Sequence, residues 1–122
     1  MLSLQGAAFV ALPASAAAAT VTQVVTASAD TYIDSSAATT AFGTQATISA
    51  DASPTRYVFL RFDLSTVTGT ITAATLRLHT QDSTSASSPA GGTVRRITAA
   101  SWSEASTTYT NRPSTSGTTV SR

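Results

Sequence analysis

The chain has 122 residues, a formal net charge of +1, no cysteine and one histidine, and only 11% of its residues are charged. Without cysteine there is no disulfide scaffold, no zinc finger and no thiol nucleophile, and a charge near zero without basic runs argues against nucleic acid as the partner. The length is that of one domain, with enough chain to build a core without a disulfide or metal clip.

The first charged side chain is Asp30. Before it, residues 7–19 read AAFVALPASAAAA, an apolar run interrupted by Pro13 and ending in small residues. A transmembrane helix needs ~20 apolar residues, so this run is too short to span a bilayer. It has the form of the apolar core and A-x-A cleavage zone of a secretory signal peptide, with Ala14-Ser15-Ala16 or the alanines up to Ala19 preceding the cut. The basic residue that usually opens such a leader is missing, and only the α-amino group is positive. The expectation is a leader over 1–19, export, and a folded module over 20–122. The alternative is an apolar N-terminal strand or helix belonging to the fold.

After Thr20 the pattern is β throughout. Thr, Val and Ile are dense, and no window sustains the i, i+3, i+4, i+7 spacing of a helix. Strands are predicted at Val21–Thr26, Thr31–Asp34, Gln45–Ala50, Tyr57–Leu64, Thr75–Gln81 and Thr93–Ala99. Turn clusters separate them: Ser35–Thr40 with Phe42-Gly43, Asp51-Ala52-Ser53-Pro54, Thr68-Gly69, and Asp82–Gly92. The period of two places Val58, Leu60, Phe62 and Leu64 on one face and Tyr57, Phe59, Arg61 and Asp63 on the other. The aliphatic set is expected to face the core. In the next strand Leu76 and Leu78 point inward, while Thr75, Arg77 and His79 point outward. Short strands at this spacing predict an all-β fold, an antiparallel β-sandwich of the jelly-roll kind. Ser101–Arg122 is rich in Ser and Thr and shows no strand pattern after Tyr109. Roughly six strands leave one edge of a sandwich uncovered, so the module is expected to lack its C-terminal strands.

Several segments occur in a telling order: Ala29-Asp30-Thr31-Tyr32-Ile33-Asp34, Phe42-Gly43-Thr44, the Leu-Arg-Phe-Asp-Leu within Tyr57–Leu64, and Ile71-Thr72-Ala73-Ala74-Thr75-Leu76-Arg77-Leu78. Trp102-Ser103-Glu104, Thr107-Thr108-Tyr109 and Asn111-Arg112-Pro113 follow. Together, over residues 29–113, they resemble the secreted bacterial DNRLRE domain, also classed as carbohydrate-binding module family 96. The resemblance implies a β-jelly-roll module attached to extracellular polysaccharide-acting enzymes or surface proteins, with acidic polysaccharide such as alginate as the ligand class. The chain departs from the residue types such a ligand favours in having no lysine, so a site for a polyanionic glycan relies on arginine.

Enzyme chemistry finds little to work with. A Ser-His-Asp hydrolase has His79 as its sole base, and no G-x-S-x-G elbow is present. A glycosidase needs two carboxyls about 5–9.5 Å apart. Asp30 and Asp34 share a strand face, but four residues at ~3.3 Å each separate them by ~13 Å. Glu104 is the single glutamate. Zinc lacks suitable ligands. Calcium remains open, with Asp30, Asp34 and Asp51 as candidate ligands. Aspartates at turns and strand ends more often bond their own backbone. No catalytic residue is expected and no cofactor is required.

For sugar binding, Tyr57, Arg61, Arg77 and His79 are the candidate residues, offering an aromatic face and bidentate guanidinium groups if their two strands are neighbours. The competing structural role for Arg61 is a pair with Asp63 or Glu104. Trp102 is read as a core plug or corner residue rather than a stacking platform, and Arg112 as a loop-fixing residue with Glu104 as its charge partner. Two functions follow. The first is a non-catalytic, secreted carbohydrate-binding module for an acidic polysaccharide, carried by a larger extracellular protein with a fused catalytic domain. The second is a structural or adhesive spacer of a cell-surface protein, without a ligand.

Overall fold

The computed structural model describes residues 18–84, 86, 92–98 and 101–121. Of the expected leader, residues 1–17 lie outside this set, as does Ala99 at the end of one predicted strand.

The chain is all-β. Its elements are β1 (Ala27–Asp34), a 3-10 turn (Ser35–Ala37), β2 (Asp51–Ala52), β3 (Thr55–Phe62), β4 (Val94–Ile97) and β5 (Thr115–Ser121). β3 is the centre of an antiparallel sheet in the order β1-β3-β2, and β4 pairs antiparallel with β5 in a second sheet. The five strands among the described residues are fewer than the ~8 of a jelly roll.

Local chemistry sets the turns. Asp34 ends β1 because its carboxylate caps the next turn, accepting the Ser36 N–H at 2.7 Å and the Ser36 hydroxyl at 2.6 Å. Ser53 and the cis Pro54 join β2 to β3, with Asp51 Oδ1 accepting the Ser53 N–H at 3.1 Å. Such a carboxylate bond two residues on is the usual reason for Asp to open a tight turn.

Directly paired residues share a sheet face, so the register defines two surfaces. Ile33 pairs with Tyr57, Thr31 with Phe59 and Ala29 with Arg61; Asp34 pairs with Arg56, Tyr32 with Val58 and Asp30 with Leu60. The first surface holds the core. Ile33, Thr31 and Phe59 are buried there with Trp102, and Ala29, Ile97 and Tyr109 pack against the cluster. The Phe59 and Trp102 rings lie 6.0 Å apart at a tilt of 53°, within the range where edge-on aromatic packing is favourable. Ile97 brings the β4–β5 sheet to the same cluster. On the second surface Tyr32 stacks on Phe42, with centroids 4.5 Å apart.

The structure corrects several expectations. The core-facing side of β3 is the Phe59 side: Phe59 is 3% exposed, whereas Phe62 is 38% and Leu64 50% exposed. Trp102 decides this by covering the Phe59 side. β1 begins at Ala27, and residues 21–26 and 45–50 form no strand. Asp51-Ala52, expected in a turn, is a short strand because Ser53-Pro54 alone completes the reversal. Residues 75–81 form no strand, and Leu76 and Leu78 are exposed. A strand does follow Tyr109: β5 is built from Thr, Ser, Gly and Val rather than from an apolar alternation.

Candidate functional site

The segment from Trp102 to Pro113 organises one end of the molecule. The Ser103 carbonyl accepts the N–H groups of Ser106 (3.2 Å) and Thr107 (2.9 Å) and the Thr107 hydroxyl (2.6 Å), winding a single turn. That turn aims Glu104 back at β1, where its Oε2 accepts the Asp30 N–H at 3.0 Å. Among the described residues β1 lies at the edge of its sheet, so Glu104 covers a donor that this ladder leaves open. Gly43 lies against the same turn: a Cβ there would sit 2.0 Å from the Glu104 carbonyl oxygen. The Phe42-Gly43 and Trp102-Ser103-Glu104 motifs are therefore spatial neighbours.

Two arginines lie over aromatic rings. The Arg61 guanidinium is 4.6 Å from the Trp102 ring centroid and donates to the Trp102 carbonyl. The Arg112 guanidinium is 4.1 Å from the Tyr109 centroid and donates to the Tyr109 carbonyl. Arg61 is half-buried, whereas Arg112 is exposed. Neither makes the ion pair expected of it: Arg61 meets neither Asp63 nor Glu104, and Glu104 serves Asp30 rather than Arg112.

Asp34 and Arg56 form a salt bridge of 2.7 Å between Oδ2 and Nε. Hydrogen bonds from Ser36, reinforced by Arg56, hold the Asp34 carboxyl below the usual carboxylate range. The same bond to Asp34 raises Arg56 above its ordinary value. The Ser65 N–H, 2.9 Å from Asp63 Oδ1, lowers the Asp63 carboxyl in the same way. In register Arg56 stands between Asp34 on β1 and Asp51 on β2. Two of the three candidate calcium ligands thus flank a guanidinium, and Asp30 lies four residues back along β1. Among the described residues no three His, Cys, Asp or Glu side chains come together as a cation would require.

The four candidate sugar-binding residues separate. Tyr57 and Arg61 share the core-side surface of β3; Tyr57 is 51% exposed at its edge. Arg77 and His79 lie in an exposed stretch without strand pairing. The neighbours of β3 are β1 and β2, so the sheet does not place Arg77 and His79 beside Tyr57 and Arg61. Sequence reasoning did not single out Arg56 or the Tyr109–Arg112 pair. The i, i+3 spacing of Tyr109 and Arg112 was the available signal for the latter. For Arg56 the alternation of β3 was a signal, but its partner Asp34 lies 22 positions away.

The sequence matches the family model of carbohydrate-binding module family 96 over residues 21–122. The chain belongs to that family. No curated protein and no solved structure matches it. The carbohydrate-binding module is a non-catalytic domain type, and its partner is carbohydrate. Among the described residues of this family 96 module no helix is long and apolar enough to cross a membrane.

Proposed function

We propose that this family 96 module binds an acidic polysaccharide outside the cell and tethers a larger extracellular protein to it. The observation that carries the reading is the state of the cations. All seven basic residues of the chain are arginine. Among the described residues one salt bridge is formed, Arg56 with Asp34, and Arg77, Arg95 and Arg96 are exposed without an acidic partner. Guanidinium groups suit sugar carboxylates because their donors form a planar fork. Tyr57 is an aromatic residue about half exposed to solvent, and His79 lies near Arg77 in sequence. The apolar run at 7–19 supports export, and the family match beginning at residue 21 supports a module that starts after that run.

Affinity electrophoresis on alginate, pectate and a neutral glucan tests the reading. Retardation is expected on the two polyuronates and not on the glucan, and it should fall as salt screens exposed charges over a Debye length of ~8 Å at physiological ionic strength. The Arg77→Ala variant should be retarded less and melt at the wild-type temperature. Equal mobility on all three gels would favour the spacer function instead.

A further inference from the structure

The described surface holds one guanidinium that is both exposed and fixed in place, that of Arg112. Its loop is braced from several sides. Asn111 Oδ1 accepts the Thr108 N–H at 2.7 Å, and Asn111 Nδ2 donates to the Ser106 carbonyl at 2.9 Å. The N–H and hydroxyl of Thr110 both donate to the Ala38 carbonyl, at 3.0 and 2.9 Å. Within this frame Arg112 lies over the Tyr109 ring and spends one donor, on Nη1, on the Tyr109 carbonyl. An arginine has five N–H donors in a fixed fork, so the Nε and Nη2 donors are left for a ligand. No acidic side chain pairs with Arg112. Arg61 is the contrasting case: the same kind of stacking on Trp102 leaves it half-buried against the core.

The loop also has a neighbour suited to a sugar ring. Tyr109 packs on the cluster of Ile33, Phe59 and Trp102, which lies on the surface shared by Tyr57. Tyr57 pairs with Ile33, next to the Asp34 end of the sheet, and Ala38, the anchor of Thr110, follows the turn that leaves Asp34. The register puts Tyr57 at the Asp34 end of the core-side face, and the Thr110 bond ties the loop that carries Arg112 to Ala38, just beyond that end.

We infer that Tyr57 and Arg112 form a binding site for a single uronate residue of a polysaccharide. The Tyr57 ring takes the C–H face of the pyranose, and the Nε and Nη2 donors of Arg112 take its carboxylate. This inference rests on the acidic-polysaccharide reading; it keeps Tyr57 from the sequence-based candidates and replaces their arginines with Arg112. Fixing the guanidinium before binding lowers the ordering cost that a mobile side chain would add.

The test is the affinity of the full chain for oligomers of polyuronate, measured by titration at low salt, with thermal melting in parallel. Arg112→Ala should weaken binding by roughly fivefold to tenfold, as expected for loss of a partly solvated charge-assisted contact. Arg112→Lys, which keeps the charge but loses the fork, should recover part of that loss. Tyr57→Ala should weaken binding, and Tyr57→Phe should retain it, with all four variants melting close to wild type. If the wild type binds polyuronate and both the Arg112 and Tyr57 variants bind as tightly, the site is overturned while the acidic-polysaccharide reading stands. If the wild type binds no polyuronate, that reading falls and the site falls with it.

Discussion

At Gly43 the chain passes so close to Glu104 that a methyl group would arrive 2.0 Å from the Glu104 carbonyl oxygen. The neighbour is backbone, held by its own turn and by the Glu104 bond to Asp30, so it has little room to yield. Gly43→Ala is expected to lose about 1–3 kcal/mol of stability, the usual cost of overpacking, read as a lower urea midpoint. An unchanged midpoint would show that the turn shifts freely. Asp34 sets a second residue-scale expectation. Its folded carboxyl lies below the ordinary value because Ser36 and Arg56 bond the charged form. The unfolded chain therefore takes up the proton first as pH falls. The stability from this group is fully present above the ordinary carboxylate pKa of ~3.9 and is lost as pH drops through the lower folded value. Melting temperature should decline below about pH 4 in the wild type, and Asp34→Asn should flatten that decline while melting lower at neutral pH. Parallel acid profiles for the two proteins would contradict this assignment.

The alternation in Tyr57–Leu64 marked a strand, and β3 is that strand, offset by two residues at each end. Which face is inward was not legible there. Val58, Leu60, Phe62 and Leu64 are the more aliphatic set, yet Trp102, some 40 positions along the chain, caps the opposite side and buries Phe59. Arg61 could lie on that inward face because its guanidinium stacks on Trp102 instead of facing solvent. Trp102 is a member of the buried cluster, so its ring serves the core and is not a stacking platform for a ligand. Phe59→Ala should therefore cost about 3–5 kcal/mol as a buried aromatic truncation, against ~0.5 kcal/mol or less for Leu64→Ala. Chemical denaturation of the pair checks the order, and a larger loss at Leu64 would restore the aliphatic side as the core. β5 escaped the periodicity argument because Thr, Ser and Gly carry no apolar alternation, although Thr is a good strand former. The Thr75–Gln81 stretch shows the reverse: a strong alternation without strand pairing, its apolar side chains at Leu76 and Leu78 exposed.

Across the whole molecule, the class was readable from composition and turn chemistry, and the family from seven ordered segments, both of which the all-β structure and the match over residues 21–122 support. The candidate site was less legible. Tyr57 is exposed as expected, but its companions depend on contacts between distant segments, such as Thr110 with Ala38 and Glu104 with Asp30, that no local pattern reports. A scaffold with few charged residues, all of its cations arginine, makes charge recognition by guanidinium the central claim. The most direct measurement compares retardation of the wild-type protein in native gels containing alginate or the same polymer with its carboxyl groups reduced to alcohols. The two polymers share a sugar backbone and differ at C6, where a carboxylate becomes a neutral hydroxymethyl group. Strong retardation on alginate, diminished by salt and absent on the reduced polymer, is the expected result. Equal retardation on both polymers, or none on alginate, would contradict recognition of sugar carboxylates by this module.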